Sequence, residues 1–234
     1  MATTSSADAA VSPAAAITSE LCAGIPFAAL RGDALAPAST LLSVAASPLF
    51  SFLTTREAAD LRAVCVEARA AVAEHPWADH GTHIRSRLEA WRACFPRARA
   101  ATLHGRITDA GFEHLRGIHT LDMRGCFQIT DAAFEHLRGI HTLNMVRCDQ
   151  ITDAAFENLR GIHTLNMNGC DQITDAAFEH LHGIHTLNVR GCEQITDAAF
   201  VHLRGIHTLD MNGCDQITDS CFEHLRGIHT LIRF

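Results

Sequence analysis

The sequence predicts an α/β solenoid whose parallel strands line a concave side and whose short helices line the convex side. The first observation is a unit of 22 residues that repeats five times without a gap, with a partial sixth copy starting at Gly227. A fixed period of about 20–50 residues is typical of stacked repeats, because one short unit cannot bury its apolar face alone. The other two observations, a strand pattern and a helix-start pattern, recur in every full copy. Those copies begin at Gly117, Gly139, Gly161, Gly183 and Gly205.

The strand pattern is clearest in the second copy. Leu143 and Met145 alternate with the polar residues Thr142 and Asn144. Alternation with a period of two predicts a short strand with one buried face. Successive copies therefore place successive parallel strands side by side.

The helix-start pattern follows about eight residues after the strand. Thr152 is a suitable N-cap, and Asp153 suits the positive end of the helix dipole. Phe156 and Leu159 then lie on one helical face, and Gly161 supplies the residue that ends the helix. Because helices are wider than strands, the stack is expected to curve with the strands inside.

Apolar residues and one cysteine also recur at fixed spacing, from Ile140 through Leu143 and Met145 to Cys148 and Ile151. This spacing resembles the leucine-rich repeat, in particular its cysteine-containing subclass, over residues 117–234. The resemblance implies the solenoid already inferred, with compact helices because these copies are short for that subclass. Upstream residues predict a degenerate first turn that is two residues shorter and starts the solenoid at 101. They are Ala101–Leu103, Ile107–Asp109, Phe112 and Leu115.

Much of the variation between copies falls at positions whose side chains are expected to point outward from the concave strands. A rigid ladder with variable outward positions is how solenoids build extended binding surfaces, so we predict a target-binding surface there. For any single position, drift at an unconstrained surface site is the better explanation, whereas binding is favoured for the concave positions as a whole. The predicted target-binding residues are Asp122, Arg124, Asn144, Val146, Asn166, Asn168, Asn188, Arg190, Asp210 and Asn212.

Cysteine and histidine are abundant, but their spacing favours structural roles. One cysteine per copy places the sulfurs in a line about 4.8 Å apart, whereas zinc requires ligands that converge on one point. His180, His182 and His185 form the tightest histidine cluster, which is expected to hold a divalent ion only adventitiously. We also find no nucleophile elbow, phosphate loop or zinc-protease motif. The sequence therefore predicts no metal, no cofactor and no enzymatic activity.

Residues 41–77 have leucine, valine and arginine at helical spacing and predict three short helices, which would cap the stack. The same segment resembles a degenerate F-box, the motif that docks on the Skp adaptor of cullin ubiquitin ligases. Leu41–Val44 replace its usual opening, and Ala68 stands where a tryptophan is common. The resemblance implies these adaptor contacts: Leu49, Phe50, Phe52, Leu53, Leu61, Val64, Cys65 and Trp77.

The domain organisation predicted from these patterns has four parts. Residues 1–40 form an Ala/Ser/Thr-rich leader expected to be disordered, and 41–78 form the F-box-like segment. Residues 79–100 form a connecting helix, and 101–234 form the solenoid. Because the last copy stops within a strand at Phe234, we also expect self-association through an uncapped edge.

Composition limits the possible partners. The net charge of −7 gives no electrostatic reason to expect nucleic acid or an anionic membrane. No apolar run is long enough to span a bilayer, and no secretory signal is present. Nine cysteines, an odd number, favour free thiols in a reducing compartment, the cytosol or nucleus.

All 19 basic residues are arginine. A GC-rich genome explains this bias, and so does selection against lysines to which ubiquitin is attached. The leading functional hypothesis is a non-catalytic substrate receptor of a Skp–cullin–F-box ubiquitin ligase, which holds an unidentified target protein on the concave face. The alternative is an interaction scaffold without any ubiquitin link, whose helical segment is only a cap.

Overall fold

The computed structural model describes residues 53–62, 66–78, 83–85 and 87–233. They divide into two compact units, with the boundary between Glu74 and His75. The first unit contains helices α1 (Thr55–Leu61) and α2 (Val66–Glu74). Both helices lie where the sequence predicts helices. The third predicted helix, before Leu53, falls outside the described residues.

Helix α1 starts at a capping box. The Thr54 hydroxyl accepts a hydrogen bond from the Glu57 backbone N–H, and the Glu57 carboxylate accepts one from the Thr54 N–H at 2.9 Å. Two otherwise unpaired donors at the helix start are thereby satisfied. Ala58 is fully buried, so α1 has a packed side as well as a defined start.

The second unit is built on one parallel sheet of eight strands whose order follows the sequence. From β3 onward the register is constant, with Leu121 opposite Leu143 and Leu143 opposite Leu165. Ala101 lies opposite Leu121, which confirms that the first turn is two residues shorter. The strands are β1 (His83–Ile84), β2 (Ala100–Leu103), β3 (Thr120–Asp122), β4 (Thr142–Asn144), β5 (Thr164–Asn166), β6 (Thr186–Asn188), β7 (Thr208–Asp210) and β8 (Thr230–Ile232).

The segment before the repeats differs from the single helix predicted over 79–100. Strand β1 pairs with β2 and buries Ile84, which extends the core by one turn that the sequence did not reveal. The helix itself, α3, covers only Leu88–Cys94. Pro96 follows two residues after the end of α3 and cannot continue a helix, and β2 begins at Ala100.

From β2 onward, short 3-10 helices connect each strand to the next. Their tight winding fits a 22-residue repeat, because the 3-10 geometry suits runs of only a few residues. Thr152 caps its helix as predicted, with its hydroxyl accepting from the Ala154 N–H at 3.3 Å. The helices are Phe112–Leu115, Asp131–His136, Asp153–Leu159, Asp175–His180, Asp197–His202 and Asp219–Glu223.

The core runs unbroken from turn to turn and confirms the predicted solenoid. The first three full copies contribute the same buried set, represented in the third copy by Leu165, Met167, Cys170, Ile173 and Phe178. Phenylalanine is fully buried at its repeat position from the first full copy to the fourth. Stacking therefore buries what a single repeat would leave exposed.

A ladder of hydrogen bonds between aspartate and threonine links successive repeats on the helix side. The Thr174 N–H donates to Asp153 Oδ1 at 2.8 Å, and the Thr174 hydroxyl donates to Asp153 Oδ2 at 2.7 Å. The same pair of bonds joins Asp131 to Thr152. The sequence assigned each aspartate only to the start of its own helix, whereas the structure shows that it also holds the next repeat.

The turn after β4 carries local strain. Arg147 has φ 55°, a left-handed conformation that glycine adopts at the same position in other copies, with φ 66° at Gly125 and Gly169. A left-handed backbone costs a non-glycine residue roughly 1–2 kcal/mol. Glycine would remove that cost. Part of the gain is offset, because glycine increases the conformational entropy of the unfolded chain.

We therefore expect Arg147→Gly to raise the free energy of unfolding by about 0.5–1 kcal/mol. Urea denaturation followed by circular dichroism measures the change. Arg190→Gly is the control, because Arg190 does not have a positive φ and no strain is relieved there. Equal effects of the two variants would contradict the prediction.

Candidate protein-binding surface

The ten predicted target-binding residues share one side of the sheet. We call this the strand face, defined by the outward side chains of β3–β7 and by the second residue after each strand. Along a strand, the partly exposed Thr142 and Asn144 flank the buried Leu143. Arg124 and Arg190 are the exposed members of the ten, and the other eight are partly exposed.

The last residue of each strand from β3 to β7 forms the first row of the strand face: Asp122, Asn144, Asn166, Asn188 and Asp210. This row has a structural role that the sequence reasoning missed. Each of its Asn or Asp side chains accepts a hydrogen bond from the backbone N–H two residues later, at 3.2 Å from Asn168 to Asn166 and 3.0 Å from Arg190 to Asn188. This Asx turn ends the strand, and only a short side chain with an oxygen can form it. The restriction to Asn and Asp in this row was the signal available in the sequence.

Hydrogen bonds also run along this row, but only at its two ends. Asn144 Nδ2 donates to Asp122 Oδ2 at 3.4 Å, and Asn188 Nδ2 donates to Asp210 Oδ2 at 3.2 Å. At the centre, Asn166 Nδ2 has no partner among the described residues. The strand face therefore has paired ends and an unpaired amide donor in the middle.

One ion pair stands at the first end of the strand face. Arg124 Nη2 lies 2.5 Å from Asp122 Oδ2, and this hydrogen bond and the charge of Asp122 raise the pKa of Arg124. Arg190 occupies the same row three repeats later and forms no such bond through its side chain in the described part of the chain. The surface thus presents both signs of charge around a neutral polar centre.

Six histidines form a ladder along the edge of the strand face. Each histidine directly precedes, in the chain, the threonine that begins a strand. Neighbouring rings stack with centroids 4.4–4.6 Å apart and interplanar angles of 11–14°. Each Nδ1 lies 3.0–3.3 Å from the hydroxyl of the next threonine. The members are His119, His141, His163, His185, His207 and His229.

This ladder predicts a stability that depends on pH. Loss of hydration, followed by the charge of the neighbouring imidazoles, lowers the pKa of His141 and of His185. A lowered histidine pKa in the folded state means that the unfolded chain binds protons first as the pH falls. The contribution to stability is complete above about pH 6.5 and is lost below it.

We expect the melting temperature to fall between pH 7.5 and pH 5.5, and calorimetry measures it. The double variant His141→Gln/His185→Gln should show a shallower fall, because it removes the two stacked rings whose pKa is lowered. A melting temperature that does not change over this range in the unmodified chain would refute the prediction.

The buried cysteines have a packing role. The Cys170 thiol donates to the Met145 carbonyl at 3.1 Å, and the Cys192 thiol donates to the Met167 carbonyl at 3.2 Å. Burial raises the pKa of Cys148, Cys170 and Cys192 to about 12, which keeps these thiols protonated and unreactive. Within the described ranges, no group of three or more histidine, cysteine or acidic residues is arranged to hold a metal ion.

The structure brings together only part of the histidine cluster suggested by the sequence, since His180 and His182 line one cavity and His185 does not. His185 belongs to the histidine ladder, stacked on His163 and His207. His180 lies on the helix side, where Arg160 Nε donates to its Nδ1 at 3.3 Å. His182 instead contacts His202, a residue one repeat further along.

The structure describes only some of the residues that the F-box resemblance implies as adaptor contacts. Leu53 is partly exposed, and Leu61 is the last residue of α1. Trp77 lies in the second unit, where it is 1% exposed and its ring centroid is 5.8 Å from that of Phe95. Trp77 is therefore not available to an adaptor, because its side chain is buried within the second unit. The others lie outside the described residues: Leu49, Phe50, Phe52, Val64 and Cys65.

Comparison with protein families matches residues 106–229 to the BspA type leucine-rich repeat region, in six copies. The chain belongs to the BspA-type leucine-rich repeat family. The match confirms the leucine-rich repeat class predicted from the sequence, and the cysteine-containing subclass stays a prediction. The match does not extend to residues 41–78, so it offers no support for an F-box. Comparison with curated protein sequences found no match.

Two solved structures have a similar fold. A chain of the TLR13–ssRNA13 complex is 16% identical with a TM-score of 0.49, and the match covers 63% of this chain and 26% of that chain. This leucine-rich repeat protein therefore spans about a quarter of the length of that chain. A chain of the yeast Rad7 and Elc1 complex is 13% identical with a TM-score of 0.41, covering 95% and 87%. Neither likeness is close enough to bear on function.

Leucine-rich repeat solenoids are typically binding scaffolds, which present a surface and do not themselves catalyse a reaction. Among the described residues, no helix is both long and apolar enough to cross a membrane.

Proposed function

We propose that this leucine-rich repeat protein is a non-catalytic scaffold that binds a protein partner on the strand face. The observation that carries the proposal is the polar centre of this surface, where Asn166 and Asn168 point outward from strands held in register. An amide offers both a donor and an acceptor, so it complements the polar groups of another polypeptide. Because stacked strands fix these amides in place, binding costs little conformational entropy.

The charges around this centre favour a protein over a nucleic acid. Asp122 and Asp210 lie at the two ends of the first row, and Arg124 is neutralised by its ion pair. Phosphate recognition requires a concentration of positive charge, which this surface and the net charge of −7 do not supply. A partner with mixed polar and charged side chains fits both observations.

The test compares partner capture by three forms of the full chain. Val146→Arg/Asn168→Arg alters the strand face at positions where other copies already have arginine and leaves the Asx turns intact, and Ala154→Arg/Ala176→Arg adds the same charge at exposed positions on the helix side. We expect cross-linking and mass spectrometry to recover a partner with the unmodified chain and the helix-side variant, and to lose it with the strand-face variant. Equal recovery by all three forms would contradict the proposal.

The first unit supports a second candidate, the ubiquitin-ligase receptor. Helices α1 and α2 occupy the segment that resembles an F-box, and the chain has no lysine that could accept ubiquitin. A receptor that brings a target near the ubiquitin carrier acts by proximity and needs no catalytic group of its own. A Skp-type adaptor and a cullin would then be partners, and the cytosol or nucleus would be the compartment. The proposed adaptor contacts are Leu49, Phe50, Phe52, Leu53, Leu61, Val64 and Cys65.

Co-expression with a Skp adaptor followed by gel filtration tests this candidate. We expect the adaptor to co-elute with the unmodified chain and with Ala59→Asp, an exposed position on α1, but not with Leu53→Asp. Circular dichroism of each variant shows whether the fold is retained. If the unmodified chain does not bind the adaptor, the receptor candidate fails and the scaffold proposal stands.

Self-association through β8 remains a separate prediction, which sedimentation at high protein concentration tests.

A further inference from the structure

We call the contact between two consecutive repeats on the helix side a junction. At most junctions, an arginine at the end of one repeat donates a hydrogen bond to a side chain of the next repeat. Arg116 Nε donates to His136 Nδ1 at 3.2 Å, and Glu135 lies 3.2 Å from the other ring nitrogen of His136. Arg160 and Glu179 hold His180 in the same way, at 3.3 Å and 3.2 Å. In these two junctions both imidazole nitrogens are occupied.

One junction departs from this arrangement at two positions together. His182 stands where the neighbouring repeats have arginine, and Val201 stands where they have glutamate. His202 therefore lacks both of its usual partners, and neither His182 nor His202 makes a hydrogen bond or ion pair among the described residues. The ring centroids of His182 and His202 are 5.1 Å apart, and the ring planes meet at 69°.

The two rings line an open cavity of about 500 Å³. Arg160, Glu179 and His180 also line it, but both ring nitrogens of His180 are already occupied by Arg160 and Glu179. The formal charges of Arg160 and Glu179 cancel, so the cavity does not repel a cation by its net charge. Neutral imidazoles with free nitrogens are good ligands for zinc, copper and nickel.

The spacing of the rings suits a shared ion. With a metal–nitrogen distance of about 2.0–2.1 Å and tetrahedral angles, two coordinated imidazoles have centroids about 5.2 Å apart. The observed 5.1 Å agrees with this value. The ladder histidines are closer, at 4.4–4.6 Å, but their nearly parallel rings direct the nitrogen lone pairs side by side instead of toward one point.

We propose that His182 and His202 form a binding site for a divalent transition metal such as Zn²⁺, with water completing the coordination. This pair differs from the His180, His182 and His185 cluster that the sequence suggested, because only one of those three residues is a ligand. The site spans two repeats, so an ion bound there ties the fourth copy to the third.

The near-identity of the repeats supplies matched variants. His182→Arg/Val201→Glu restores the partners found at the other junctions and should abolish the site without disturbing the fold. His202→Asn is a second loss-of-site variant, because asparagine already stands at this repeat position in Asn158, where it accepts from Arg138 Nε at 2.8 Å. His136→Gln is the control, since His136 lies outside the site.

Calorimetric titration with ZnCl₂ at pH 7.5, in a reductant that does not chelate zinc, tests the proposal on the full chain. We expect the unmodified chain and His136→Gln to bind one more equivalent of Zn²⁺ than either loss-of-site variant, or to bind it at least tenfold more tightly. Arg116→His/Glu135→Val should gain one equivalent, because it recreates the unusual junction elsewhere. Identical titrations of the unmodified chain and both loss-of-site variants would overturn the proposal.

Discussion

Replacing Phe178 by alanine is expected to destabilise the solenoid by about 3–5 kcal/mol. The Phe178 side chain has no exposed surface, and the fully buried Phe156 and Phe200 occupy the same position in the repeats on either side of it. Truncation removes a large apolar side chain and leaves a cavity that the surrounding repeats close only in part. In a solenoid that cavity also weakens the interfaces with both neighbours, which account for much of each repeat's stability.

The chain contains its own control for this variant. Phe222 occupies the same repeat position but is 38% exposed, so Phe222→Ala leaves no sealed cavity. We expect it to cost less than half as much as Phe178→Ala. Urea denaturation of both variants, followed by circular dichroism, measures the difference, and equal losses would show that burial of the phenylalanine column does not hold the repeats together.

Replacing Asp153 by alanine is expected to cost about 1–3 kcal/mol, because it leaves two donors of the next repeat unpaired. The lost bonds run from the Thr174 N–H and hydroxyl, at 2.8 and 2.7 Å. Both bonds are partly buried, so water replaces the carboxylate only in part. Asp153→Asn keeps one acceptor oxygen and should cost less.

Asp219 provides the matched position for this ladder. Its side chain is 85% exposed and its carboxylate lies 2.5 Å from Arg233 Nη1 in a surface ion pair. Such pairs contribute about 0–1 kcal/mol, so Asp219→Ala should be nearly neutral. Thermal unfolding of the two variants side by side measures the contrast. If Asp153→Ala were as mild as Asp219→Ala, the ladder would not contribute to the coupling between repeats.

The first unit and the segment that follows it show where sequence reasoning reached its limit. A helix was expected over 79–100, yet β1 adds a strand that pairs with β2 through only two residues, His83 and Ile84. So short a strand has no periodicity of its own to detect. Likewise, Trp77 resembles the closing residue of an F-box, but contacts made by its ring and backbone place it in the second unit.

The repeat period by itself determined the order of the strands, the residues that fill the core and the side of the sheet that faces outward. It could do so because each of these features is local: an alternation of two residues, a capping threonine, a glycine after a helix. Only the tertiary structure decided which polar atoms meet between repeats, such as Asp153 with Thr174 and His182 with His202. Such partners lie about one repeat apart in the chain, and no local pattern encodes the contact because it forms only when the turns stack.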